Sequence, residues 1–172
     1  MRRQRGVTLI EVAISIVIAA ILFALGLPAM NNMISNIRVR GAAEEIAGGL
    51  QRARIEAMKR NQAVTFNIDA AEGAGWSVVL DSDQSIIESR ASATGNTVSV
   101  QGDLDILARF NNLGMRIAPL GGDLTFSVTH PTAGECQPSG VIRCLSVIVR
   151  IGGQVRMCDP QRPVGDPQAC SF

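Results

Sequence analysis

Four cysteines, one histidine and a carboxylate set at the edge of an apolar stretch are the residues of this 172-residue chain whose types and spacing could do chemistry. Cys136, Cys144, Cys158 and Cys170 offer either metal ligation or disulfides. Their spacings of seven, thirteen and eleven intervening residues contain no Cys-x-x-Cys pair, the arrangement that supplies two zinc ligands from one tight turn, so no metal is expected. Two disulfides are expected instead, which places this end of the chain in an oxidising compartment. His130 precedes Pro131 and reads as a surface turn residue, not a catalytic base. No Ser-centred elbow, His-Glu-x-x-His, P-loop or dinucleotide-binding glycine pattern accompanies it, so neither catalysis nor a cofactor is expected.

Glu11 stands just before nineteen uncharged residues, Val12 to Met30, about the length that crosses a bilayer core as a helix. An ionised carboxylate there costs about 2.5 to 3.5 kcal/mol on insertion scales, so Glu11 implies a partner for its charge. Arg2, Arg3 and Arg5 precede the run and hold the start of the chain in the cytoplasm, sending the remainder outward. The run exceeds the roughly 7 to 15 residues of a cleaved signal's apolar region, and no Ala-x-Ala triplet ends it, so it is expected to persist. Ile46, Leu50, Ala53 and Ala57 then recur at helical spacing. One long helix, half membrane-borne and half amphipathic, is the economical reading.

The residues beyond the helix must form its globular complement. Composition is 47% hydrophobic and only 3% aromatic, so the core rests on Val, Ile, Leu and Ala. A net charge of +1 excludes a polycation that coats nucleic acid by bulk charge. Val64, Phe66 and Ile68 alternate with polar residues, as do Trp76, Val78 and Leu80, which predicts a hairpin. Further strands are expected at Ser85 to Arg90, Thr97 to Gln101, Leu104 to Phe110 and Leu124 to Thr129. An α+β head with a sheet packed on the helix stripe follows. In the last hairpin, keeping Leu145, Val147, Val149, Ile151, Val155 and Met157 on one face sets Ile151 opposite Val155 and Arg150 opposite Arg156. Two arginines so placed repel unless an anion or a carboxylate from the acidic middle of the chain joins them. That register also sets Cys158 opposite Ile148, too far from Cys144 for a bridge. Cys136 with Cys144 and Cys158 with Cys170 is the preferred pairing, with Cys136 to Cys158 and Cys144 to Cys170 left open.

Arg5-Gly6-Val7-Thr8-Leu9-Ile10-Glu11-Val12 and the apolar run resemble the class III leader and N-terminal helix of type IV pilins and type II secretion pseudopilins. The resemblance implies a leader at 1–6, cut between Gly6 and Val7 by a prepilin peptidase that also methylates the new Val7 amine. Val7 stands where Phe is usual. It further implies a transmembrane and filament-core helix at 7–30, an amphipathic continuation at 31–62 and a periplasmic β-rich head at 63–172. Glu11 would meet the terminal amine of a neighbouring pilin or pseudopilin. Pro28 would permit either local melting or a plain kink of the helix. The implied location is the bacterial inner membrane, single-pass, and then a filament.

A second resemblance, to the GspH/FimT branch with its pilin-like fold, rests on the head. It is carried by Ala43 to Ile46, Leu50 to Ala57, Phe110-Asn111-Asn112-Leu113-Gly114, and Arg143 to Val147 through Gly153 to Pro160. A minor pilin of a type IV pilus is the leading expectation, with a type II secretion pseudopilin as the alternative. Some FimT relatives carry a Gly-Arg-x-Arg motif that holds DNA. Here Gln154 replaces its first Arg between Gly153 and Arg156, leaving Arg143, Arg150 and Arg162 as compensating candidates for a third reading, DNA uptake.

Overall fold

The computed structural model of the chain describes residues 6–69, 73–92, 98–102, 107–117 and 122–170. The Arg2, Arg3 and Arg5 cluster, Thr97 and Leu104 to Ile106 lie outside the described residues. The chain divides into two compact units, Met1–Ile34 and Ser35–Phe172.

A single helix, α1 (Leu9–Arg60), belongs to both units. It starts where Thr8 can cap it, its hydroxyl accepting the Glu11 N–H at 3.4 Å. Thr-x-x-Glu is the spacing of a capping box, and it places an acid in the first turn, against the positive end of the helix dipole. In the first unit the described side chains from Gly6 to Asn31 are exposed, and α1 is there long and apolar enough to cross a membrane, with mean hydropathy 2.6. In the second unit the predicted stripe, Ile46, Leu50, Ala53 and Ala57, is fully covered, and Val39, Ala42 and Ala43 extend it toward the N-terminus. The helix stops at Asn61, which takes φ 52°. The N–H of Gln62 reaches the Ala57 carbonyl at 3.2 Å and that of Asn61 the Met58 carbonyl at 3.3 Å. This is the Schellman closure, with Asn supplying the left-handed residue.

Where one sheet was expected, the nine strands among the described residues form two. The first contains β1 (Val64–Asp69), β2 (Gly75–Leu80), β3 (Ile86–Arg90), β5 (Leu107–Phe110) and β6 (Arg116–Ile117), in the order β3-β2-β1-β5-β6. The second contains β4 (Ser99–Gly102), β7 (Leu124–Thr129), β8 (Leu145–Val149) and β9 (Val155–Cys158), in the order β4-β7-β8-β9. Every strand pair is antiparallel. The inner faces meet at Phe66 of β1 and Phe126 of β7, whose ring centroids are 6.3 Å apart in an edge-on arrangement. Trp76 lies 5.8 Å from Phe66, and both rings press on α1 at Gly49, where a Cβ would come 2.6 Å from the Phe66 ring.

The last hairpin corrects the predicted register. Val149 pairs with Val155 and Ile148 with Arg156, so Arg150 does not face Arg156 and Cys158 faces Ser146, not Ile148. The turn is the reason. Gly153 donates to the Arg150 carbonyl at 2.8 Å and Arg150 to the Gln154 carbonyl at 2.9 Å, with Gly153 at φ 77°. That is a three-residue loop ending in a left-handed glycine. It takes Ile151 out of the strand and leaves it 45% exposed, so the wish to bury Ile151, on which the predicted register rested, does not hold. Cys158 is thus nearer Cys144 than expected, yet the disulfides are Cys136–Cys144 and Cys158–Cys170.

Candidate functional site

Val7 precedes the first turn of α1 and is 70% exposed. Glu11 lies in that first turn, and Pro28 falls within the helix. A helix N-terminus with an acid on its first turn has a local electrostatic reason to tolerate Glu11. The Thr8 cap, absent from the expectations above, has a sequence signal in Thr8-x-x-Glu11.

The head motifs converge on the end of α1 nearest Arg60. Arg54 on α1 donates through Nε to the Gly114 carbonyl at 3.0 Å. Gly114, at φ 73°, closes a turn in which the Asn111 carboxamide oxygen accepts the N–H groups of Leu113 at 3.0 Å and Met115 at 2.9 Å. Gly153 is pressed onto the same carbonyl: a Cβ there would stand 1.8 Å from the Gly114 oxygen. Arg116 donates its N–H to the Ile151 carbonyl at 2.9 Å. Three motif stretches separated in sequence therefore form one latch joining helix, first sheet and second sheet.

The four candidate arginines separate into two places. Arg143 and Arg162 converge on Asp159, a carboxylate residue only 4% exposed, at 2.6 and 3.7 Å. Arg143 also reaches Gln168 at 2.8 Å, its backbone N–H bonds Asn36 of α1 at 2.7 Å, and Arg162 pairs with Asp166 at 3.5 Å. These contacts fasten the loop closed by Cys158–Cys170. Arg150 and Arg156 instead share one face of the second sheet, where they line a cleft of about 180 Å³ with Ile148 and Gln154. Arg150 is 3.8 Å from Asp123, a carboxylate of the acidic middle. Arg156 donates to the carbonyls of Pro167 and Ala169.

His130 corrects its expected surface position. It is 5% exposed, because it continues the inward alternation of Leu124, Phe126 and Val128 past the end of β7. Its Nδ1 is 3.4 Å from the Thr132 hydroxyl, and its Nε2 has no hydrogen-bond partner among the described residues. No grouping of His, Cys, Asp and Glu able to hold a metal occurs among the described residues.

Comparison with known proteins separates fold from family. The profile of the family described as type II transport protein GspH matches residues 42–160, and that of the prokaryotic N-terminal methylation motif matches residues 1–27. No curated protein matches. Among solved structures, the type IV minor pilin FimU of Pseudomonas aeruginosa is similar with a TM-score of 0.58 at 20% identity, over 77% of this chain and 94% of that one. The minor pseudopilin EpsH from the type 2 secretion system of Vibrio cholerae gives 0.51 at 13% identity, over 73% and 99%. E. coli GspH gives 0.50 at 13% identity, over 74% and 94%. At these identities the structures establish a shared pilin-like fold, and with its family profile spanning the head from α1 to Pro160, this chain belongs to the GspH family.

Proposed function

We propose that the chain is a non-enzymatic minor pilin of a type IV pilus, held in the inner membrane by the first half of α1 with its head in the periplasm until it joins a filament. The observation that carries this reading is the junction of an N-terminal methylation motif over residues 1–27 with a helix whose described side chains stay exposed through its apolar run. An apolar helix with no cover of its own needs lipid or other helices around it. Both are available to a subunit that waits in a bilayer and then enters a bundle of like helices. The partners on this reading are the prepilin peptidase and N-methyltransferase, and other pilins through α1. The proposed segments are a leader at 1–6, a filament-core helix at 7–30, its amphipathic half at 31–62 and the head at 63–172. Processing falls between Gly6 and Val7, with methylation on Val7. Glu11 pairs with a neighbour's terminal amine, and Pro28 softens the helix.

A pseudopilin of type II secretion is the second reading, favoured by the GspH profile itself and by likeness to EpsH. FimU, a type IV minor pilin, has the higher TM-score and supports the pilus. The protein partners of Arg143, Arg156 and Arg162 support structural roles for them over the holding of DNA.

Intact-mass analysis of the native protein tests the first step. The expected species begins at Val7 and carries one methyl group, and Gly6→Val leaves residues 1–6 attached. A mature chain beginning beyond Met30 overturns the reading. Deletion of the gene is expected to reduce surface pili while leaving protein secretion intact, and the opposite pattern selects the secretion system.

A further inference from the structure

The cleft between Arg150 and Arg156 lies on the outer face of the second sheet, away from Phe126 and the core. Arg156 stands opposite Ile148, and Arg150 follows Ile148 by two residues, just past the end of β8. The two guanidinium-bearing residues are therefore diagonal cross-strand neighbours, about 7 to 8 Å apart at the backbone. Ile148, 7% exposed, forms an apolar floor, Gln154 adds an amide, and the open cleft has a volume of about 180 Å³. Asp123 at 3.8 Å orients Arg150 from one side, and the Pro167 and Ala169 carbonyls orient Arg156 from the other. The Arg156 fork is thus fixed by protein carbonyls and Arg150 stands beside Asp123, while both line a common space.

We propose that this cleft is a docking site for a carboxylate side chain of a partner protein, an acidic residue on a neighbouring subunit's head. Two neighbouring guanidinium groups suit a planar two-oxygen anion, which each can meet with a charge-assisted hydrogen bond. The apolar floor fits the methylene stem of Glu or Asp. At the cleft Asp123 stands beside Arg150 and interrupts the positive charge, which disfavours a polyanion laid across it. Duplex DNA presents one charge per about 1.7 Å and is held by cations that neutralise several phosphates at once. This inference rests on the reading of the chain as an assembly subunit.

The full chain in detergent micelles, with arginine side chains followed by NMR, tests it against three probes: an end-capped neutral peptide carrying a single Glu, inorganic phosphate and a short DNA duplex. Saturable shifts of the Arg150 and Arg156 Nε–H signals with the peptide are expected. Gln154→Glu, which sets a carboxylate of the chain's own in the cleft without removing either arginine, is expected to weaken peptide binding at least 10-fold. Arg150→Ala is expected to do the same. Three results overturn the assignment: no saturable shift, peptide binding unchanged in both variants, or equal or tighter binding of phosphate or the duplex at physiological salt. Incorporation of the wild-type chain into filaments is read separately by its presence in sheared filament fractions. Failure in the cleft with incorporation intact removes this inference alone, and failure of incorporation removes the subunit reading.

Discussion

Gly153 carries more of the head's architecture than its lack of a side chain suggests. It needs a left-handed φ of 77° and sits where a Cβ would be 1.8 Å from the Gly114 carbonyl oxygen and 3.1 Å from Arg54 Nε. Gly152, its neighbour, has open space around its Cβ position. Gly153→Ala is expected to destabilise the protein by about 2 to 4 kcal/mol, from a disfavoured backbone and a displaced latch together, while Gly152→Ala stays within about 1 kcal/mol. Urea unfolding of the two variants side by side checks this, and equal midpoints would contradict it. The same residue explains what the sequence did not disclose about its hairpin. Alternation correctly put Leu145, Val147 and Val149 inside, but alternation has no means of ending a strand. The left-handed glycine ended it two residues early and released Ile151. His130 is the opposite case, since the adjoining Pro131 suggested a surface turn while the pattern of β7 ran on and carried the ring inward.

Among the elements, α1 shows how two adjacent glycines can have opposite significance. At Gly49 an added Cβ would lie 2.6 Å from Phe66 and 2.9 Å from Trp76, whereas at Gly48 nothing lies within 4 Å. Gly48→Ala is expected to stabilise by about 0.5 to 1 kcal/mol through helix propensity. Gly49→Ala is expected to cost about 1 to 3 kcal/mol by forcing helix and sheet apart. Thermal midpoints of the two variants should therefore move in opposite directions. Spacing made the buried stripe of this helix legible, and Asn61 its end, but it could not tell which glycine met an aromatic ring across the core.

The last turn of α1 carries a pH-dependent contribution as well. The Arg60 guanidinium, 2.7 Å from Glu56, holds the Glu56 carboxyl below its ordinary value of 4.5, against partial burial that raises it and with Lys59 assisting. A carboxyl depressed on folding stabilises above its unfolded value, and that contribution is lost as pH falls through the depressed one. Glu56→Gln is thus expected to cost about 0.3 to 0.5 kcal/mol near neutral pH, the range of exposed i,i+4 pairs. The difference from wild type should vanish once both carboxyl states are protonated, well below the ordinary value. Denaturation curves at the two pH values give the answer, and a difference that grows on acidification would contradict the pairing.

Across the whole molecule, the unit Ser35–Phe172 is tied covalently at two loops that differ in what else holds them. Cys136–Cys144 closes a separation of 8 residues, and that loop is also fixed by Asn36, whose side chain bonds Arg143 N–H at 2.7 Å, and by the buried Ile142. Cys158–Cys170 closes a separation of 12 around Asp159, which receives Arg143 and Arg162. Loop entropy alone gives about 2.5 and 3 kcal/mol for the two bridges. The second should cost more than this difference suggests, because loosening its loop also unsettles the ion pairs of an almost fully buried carboxylate. Cys144 and Cys158 are buried at the margin of the core, 5% and 3% exposed, but its bulk is Phe66, Phe110, Phe126, Ile46 and Leu50, so the head is expected to remain folded, with lower stability, when both bridges are removed. Replacing Cys136 and Cys144 by Ser should lower the thermal midpoint by about 5 to 10 °C, and replacing Cys158 and Cys170 by at least as much. Calorimetry of the two double variants at equal pH ranks them directly. If the Cys136–Cys144 variant proves the less stable, the loop beside Asn36, and not the Asp159 hub, is the principal fastening of the C-terminal third.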